Sequence, residues 1–269
     1  MQRLRLRYTK RGRLRFTSHR DFQRAFERAL RRAEVPMAYS AGFTPHPKVS
    51  YANAAPTGTG SEAEYLEIGL VRHRDPEELR AQLDACMPDG LDLVDVVEAH
   101  GSDFSDRLQA SVWEIRLDGV SPAQAQQAVA AFLAAETVEV QRQTKKGVRS
   151  FDARAAVRSL AATATATAQP AGADTATGTD RPGEGACAIL RLVVRHVTPA
   201  VRPDDVLSGL RATADLAPPV PAAVTRLAQG PLDEETGTVT DPFAPDRDAL
   251  PEPIGSGVSS AATVPGGTA

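Results

Sequence analysis

The chain has 269 residues, 42% hydrophobic and 24% charged, with two cysteines and a formal net charge of −3. That length allows one large or two small domains, and two cysteines exclude a disulfide framework or a cysteine metal cluster. No apolar run approaches the ~18 residues that would cross a bilayer, and residues 1–17 alternate arginine with apolar side chains where a signal peptide would need an apolar core. A cytoplasmic protein without membrane association is expected.

Residues 3–8 alternate Leu4, Leu6 and Tyr8 with Arg3, Arg5 and Arg7, and alternation resumes from Arg13 to Thr17 after Lys10-Arg11-Gly12. A β-hairpin with an arginine outer face is expected, with Leu14 and Phe16 inward. Ser18 suits a helix N-cap, with Asp21 three residues on. Phe22, Ala25, Phe26, Ala29, Leu30 and Ala33 then follow helical spacing up to Pro36, with Arg20, Arg24, Arg28, Arg31 and Arg32 largely opposite. Glu64 to Leu70 reads as a strand, Asp75-Pro76 opens a second helix through Leu79 and Leu83, and Leu91 to Val97 reads as a strand.

A second unit begins near Ser111. Val112 to Leu117 reads as a strand, Ser121-Pro122 caps an alanine-rich helix to Ala135, and Thr137 to Gln143 reads as a strand. Lys145-Lys146-Gly147 makes a basic turn, Asp152 caps a short helix to about Leu160, Ala188 to Val194 reads as a strand, and Arg202 to Asp205 starts a last helix. Residues 161–186, rich in Ala, Thr, Gly and Pro, are expected to be a disordered insertion. The Pro-, Ala-, Gly- and acid-rich residues 215–269 are expected to be a disordered tail, within which Val224 to Leu227 is the part suited to docking. The fold class expected is α+β. Two ferredoxin-like (βαββαβ-type) units would span 1–100 and 111–214.

The near-neutral total hides a polarity. Residues 1–50 carry thirteen bases against three acids, a net +10, whereas Asp215 onward carries two bases against eight acids, a net −6. A basic head favours a polyanionic partner, and an acidic tail is placed to screen it. Eight of the thirteen aromatics lie in the first 65 residues. Phe43 and Tyr51 have no core phase and are candidates to stack on bases, with Arg7, Arg13, Arg15, Lys48, Ser50, Lys145 and Lys146 as phosphate contacts. His19 and His46 are candidates for acid–base chemistry, with Asp21 to orient an imidazole, because histidine titrates near neutral pH. Pro45 and Pro47 stiffen the loop around His46. Glu62 or Glu64 would join the same cleft if the loop before them folds over His46. No Walker, Gly-x-Gly-x-x-Gly or iron–sulfur spacing is present, and no metal or cofactor is expected.

The segments Ser18-His19-Arg20-Asp21, Ala29 to Ala33, and Tyr39-Ser40-Ala41-Gly42-Phe43-Thr44-Pro45-His46-Pro47-Lys48-Val49-Ser50 resemble the radical SAM-linked (radical SAM-associated) family, a bacterial domain of unknown function (DUF2344). Thr144 to Asp152 and Val201 to Leu207 resemble it too, so the likeness covers about residues 1–210 outside the insertion. The resemblance implies a radical SAM enzyme as partner, with a ribonuclease of the E/G type as a further associate. The alanine- and proline-rich composition fits a high-GC actinobacterial source. Together these features lead to the expectation of an accessory protein that binds structured RNA, such as tRNA or rRNA, for modification or processing. The alternatives are an RNA-processing or RNA-modifying enzyme using His19 and His46, and a protein-interaction adaptor for a radical SAM enzyme.

Overall fold

The computed structural model describes residues 1–101, 104–144, 147–164 and 186–249. Among these the fold is mixed α/β, with six helices and a mostly antiparallel, partly parallel sheet. The first half contains β1 (Gln2–Lys10), α1 (His19–Arg32), β2 (Val49–Ala52), β3 (Gly60–Leu70), α2 (Pro76–Asp84) and β4 (Leu93–Glu98). After the short α3 (Phe104–Arg107) come β5 (Ala110–Asp118), α4 (Pro122–Ala134), β6 (Glu139–Thr144), β7 (Gly147–Asp152), β8 (Val157–Ala164), β9 (Cys187–Arg195), α5 (Pro203–Ala214), β10 (Ala223–Gly230) and the short α6 (Ala244–Arg247). One sheet orders its strands β4-β1-β3-β10-β5-β9-β8, with β2 also on β3, while β6 and β7 form a separate hairpin.

The halves join where β10 runs parallel to β3, pairing Thr225 with Gly60 and Arg226 with Ser61. The other strand pairs are antiparallel. Strand alternation then divides the molecule. Leu4, Leu6, Tyr8, Leu66, Ile68 and Leu70 pack under α1 and α2. Trp113, Ile115, Leu117, Leu190 and Leu192 pack under α4 and α5. The opposite face is covered by the chain itself: Phe104 and Phe243 pack on Tyr65 and Val97, and Leu232 and Val239 pack on Ala110 and Val193. Gly230 permits that return, because a Cβ there would lie 2.1 Å from the Thr240 carbonyl oxygen.

Helix starts follow their sequence signals. The Ser18 hydroxyl accepts the Asp21 N–H at 3.2 Å. Asp75 accepts the Glu78 N–H at 2.9 Å. Ser121 and Gln124 form a reciprocal capping box.

Four expectations are corrected. Arg13 to Thr17 is not a strand, because both edges of β1 are already filled by β3 and β4. The chain instead makes a 3-10 turn, Gly12–Phe16, with Gly12 at φ +53° and Phe16 59% exposed. The short helix to Leu160 is only a 3-10 turn at Arg154–Ala156, and β8 follows as an edge strand on β9. The insertion cannot begin at 161, since β8 runs to Ala164; 165–185 lie outside the described residues. The tail is not disordered up to residue 249, because β10 sits inside the sheet and α6 packs on β4. Low apolar content misled there, since the tail's acids hold fixed arginines. Residues 250–269 lie outside the described residues. No helix of the described residues is long and apolar enough to cross a membrane.

Candidate nucleic-acid interface

Helix α1 is strongly amphipathic. It buries Phe22, Phe26, Ala29 and Leu30 and leaves Arg20, Arg24, Arg28, Arg31 and Arg32 exposed. Arg24 lies 3.9 Å from Asp21 in an exposed pair, which contributes little. Among the described residues no ion pair or side-chain hydrogen bond engages Arg13, Arg20, Arg28, Arg31 or Arg32. Arg15 lies over the Phe16 ring at 4.8 Å. The turn, α1 and its flanks therefore present unpaired guanidiniums beside an exposed aromatic ring.

The loop from Tyr39 to Lys48 runs beside α1. A small cleft of about 260 Å³ is lined by Glu27, Arg31, Tyr39 and Pro47, which places the loop's base against the helix. That base is tied like a short ladder. The Ser40 N–H donates to the His46 carbonyl at 2.9 Å, the His46 N–H to the Ser40 hydroxyl at 3.1 Å, and the Lys48 N–H to the Ala38 carbonyl at 2.8 Å. The tip is left in solvent, with Phe43 fully exposed and Tyr39 54% exposed. A large apolar ring held in water at the end of a pinned loop has no packing role in the isolated chain.

Beyond the loop, Tyr51 returns to α1. Its ring meets His19 edge-on at 4.9 Å and Phe22 at 6.0 Å, and Phe22 stacks on Tyr8 at 4.2 Å. Burial, reinforced by Glu27, pushes the Tyr51 hydroxyl up, so it stays protonated. The His19 ring also contacts Gln23 at 3.1 Å. Asp21 accepts the Ser18 hydroxyl at 2.6 Å, so it serves the helix start. The structure joins His19 to Tyr51, and among the described residues it shows no hydrogen bond, ion pair or ring contact between His46 and either His19 or Asp21. Among those residues no group of three or more His, Cys, Asp or Glu is set to hold a metal ion.

Other sequence candidates fall elsewhere. Arg3, Arg5 and Arg7 point to the opposite sheet face. Arg5 is fully buried, between Asp246 at 2.5 Å and Glu67 at 3.1 Å, and Arg7 faces Asp95 at 4.0 Å. Ser50 lines a cleft with Arg3 and Phe104 on that same face. Lys48 is exposed, with its Nζ 3.8 Å from Met1 Sδ. Arg142 pairs with Asp205, Arg158 with Glu234, and Asp152 accepts the N–H groups of Val138 and Arg154, both at 2.9 Å. Lys145 and Lys146 lie outside the described residues. Glu62 is held by Arg11, and Glu64 is buried against Arg226, away from His46.

Sequence reasoning missed the seam between the halves. There Arg226, 3% exposed, meets Glu64 and donates to the Asn53 carbonyl at 2.7 Å, with its guanidinium 5.3 Å over the Trp113 ring. His196 lies nearby, its Nε2 2.7 Å from the Ser111 hydroxyl and its Nδ1 2.5 Å from the Leu108 carbonyl. Burial lowers the His196 pKa, outweighing the Leu108 hydrogen bond, so the ring is neutral near pH 7. The partners lie between 85 and 173 residues apart in the chain, beyond the reach of local pattern. The one signal available was a lone arginine inside the apolar run Val224 to Ala228, which asks for a buried counterion.

A family model described as an uncharacterized protein conserved in bacteria (DUF2344) matches residues 3–203. No curated protein matches the chain.

Proposed function

The chain belongs to the DUF2344 family of bacterial proteins, and we propose that it is a non-catalytic accessory protein that binds RNA through α1, the Gly12–Phe16 turn and the Tyr39–Lys48 loop. The observation that carries this reading is the row of unpaired arginines on α1 beside a pinned loop with a solvated Phe43. Guanidiniums free of carboxylates are available to phosphate, and exposed aromatic rings stack on unpaired bases of any sequence. His46 and His19 serve here as loop and helix-start residues that shape the surface.

Two finer statements accompany the proposal. The strand orders β4-β1-β3-β2 and β10-β5-β9-β8 support two ferredoxin-like halves, the second interrupted by the β6-β7 hairpin. The resemblance of the His46 loop to radical SAM-linked proteins supports a radical SAM enzyme as the partner that supplies chemistry on the bound RNA, in the cytoplasm, with a ribonuclease of the E/G type as a further associate.

The test is RNA crosslinking and sequencing from the native cells, beside a variant carrying R20A, R24A and R28A. These sites are exposed and alanine favours helix, so the fold is preserved. A defined RNA species absent from the variant is the expected result. Equal background RNA in both proteins, with a radical SAM enzyme co-purifying, would replace RNA with a protein partner on this face.

A further inference from the structure

On the helix side of the sheet, the seam opens into a cleft of about 410 Å³. Its walls include Asn53, Pro56, Trp113, His196, Arg202 and Arg226. That size falls within the roughly 300–1,000 Å³ of small-molecule sites. We infer that this cleft receives one nucleobase turned out of the bound RNA, with the adjoining phosphate at Arg202. The inference rests on the proposed RNA binding by α1 and its flanks.

Three observations carry it. The first is continuity with the basic surface. Residues 53–59 form one wall of the cleft through Asn53 and Pro56, and the same segment holds the arginine turn through the Gly58 N–H, which donates to the Arg15 carbonyl at 2.8 Å. Lys10 Nζ donates to the Pro56 carbonyl at 3.3 Å from inside the protein. A strand lying over Arg15 and Phe16 thus reaches the cleft mouth across one short segment.

The second is the chemistry of the lining. Arg226 is neutralised by Glu64, and His196 is neutral, so the interior holds no uncompensated charge. Both His196 nitrogens are taken up, by Ser111 and Leu108, so the polar group that remains is the exposed Asn53 amide, with Trp113 beside it in the cleft wall. Neutral donors and acceptors beside a ring suit a heterocyclic base better than a charged metabolite. At the start of α5 the Asp205 carboxylate accepts the N–H of Arg202, and the N–H groups of Asp205 and Val206 donate to the Arg202 carbonyl, so an incoming phosphate falls to the exposed Arg202 guanidinium.

The third is the backbone conformation at the cleft wall. Asn53 adopts φ +45°, the left-handed region. In that conformation its carbonyl accepts Arg226 while its amide nitrogen lies 3.3 Å from His196 Nδ1. Asparagine adopts this region more readily than other side chains, and here it fixes the backbone carbonyl on Arg226 while the side-chain amide stands at the cleft wall.

Trp113 is the single tryptophan of the chain, so intrinsic emission reports the cleft directly. Wild type and N53G would each be titrated with a labelled single-stranded RNA and with AMP, GMP, CMP and UMP. Glycine keeps the positive φ and removes the amide. Expected are a saturable change in Trp113 emission with RNA and with at least one monophosphate, and weakening of about tenfold in N53G, the effect of removing one well-placed hydrogen bond. Full RNA binding by anisotropy, with Trp113 emission unmoved and N53G equal to wild type, overturns the cleft and leaves the arginine face standing. No RNA binding at all sinks the arginine-face reading and the extruded base with it.

Discussion

Asp246→Ala tests whether the acidic tail is part of the fold. Its carboxylate is fully buried, and takes Arg5 Nη1 at 2.5 and 2.7 Å, Arg107 Nη1 at 2.7 Å and the His100 N–H at 2.9 Å. The variant leaves the Arg5 guanidinium buried without its nearest anion. Removing one partner of a buried pair costs about 3–5 kcal/mol. Glu67 at 3.1 Å and the carbonyls of His100 and Gly101, at 3.2 and 3.1 Å, still serve Arg5, which sets the expectation at the lower end, about 3 kcal/mol. For a domain of ordinary stability, about 5–15 kcal/mol, that is a large share. Urea unfolding followed by circular dichroism gives the number directly. A destabilisation under about 1 kcal/mol with an unchanged slope would refute the reasoning, since the pair would then be no better than a surface contact.

The same carboxylate gives a pH signature. Burial alone would raise its pKa, but the hydrogen bonds from Arg5, the His100 N–H and Arg107 outweigh it and hold Asp246 below its usual value. A group with a depressed folded pKa stabilises the protein above its unfolded pKa of about 3.9, and the contribution fades as pH falls through the folded value. Stability of the wild type should therefore drop below about pH 4 more steeply than that of D246N.

Phe243→Ala should cost about 3–5 kcal/mol in the same unfolding assay, because its fully buried ring packs against Tyr65 and Phe104 at 5.2 and 5.6 Å. Gly209→Ala should lower stability by about 1–3 kcal/mol, since the new Cβ would stand 2.6 Å from the Phe132 ring. R20A with R28A should make RNA affinity less salt-dependent, lowering the slope by about 0.7 for each phosphate the protein no longer neutralises, whereas R3A should leave the slope unchanged; equal effects would mean that the sheet face as well as the helix face meets RNA.

Local signals carried the helices well. Ser18, Asp75 and Ser121 each cap where their hydroxyl or carboxylate suits a helix start, and the Phe22–Phe26–Leu30 spacing defines the buried side of α1. Strand identity was less legible where pairing is decided at long range. Arg13 to Thr17 alternates as well as β1 does, yet finds no free edge to join. The run Val224 to Ala228 sits in a region rich in Pro, Ala, Gly and Thr, yet becomes the strand that joins the halves. Composition reports average burial, and β10 is held as much by partners as by its own side chains. The His46 loop was legible as a feature of the sequence, but its relation to His19 was not, because nothing local fixes how a loop and a helix start face each other.

The polarity of charge acquires a physical meaning once the two sheet faces are separated. An acidic tail and a basic head in one chain would be expected to cancel. Strand alternation prevents it: Arg5 points to one side of β1 while Leu4 and Leu6 point to the other, under α1. After β10 the described chain returns along the Arg5 side, where Asp246 engages Arg5 and Arg107, and Arg247 of the same segment reaches Asp95. Glu234 takes Arg158 and Arg195 in the second half. These acids are thereby engaged within the fold, and the arginines of α1 lie across the sheet from them. What a net charge of −3 conceals is that the tail acids Asp246 and Glu234 are committed to arginines on the Arg5 side, while the unpaired arginines of α1 stand on the other. Such an asymmetry attracts a polyanion to the helix side and leaves the tail side electrostatically quiet.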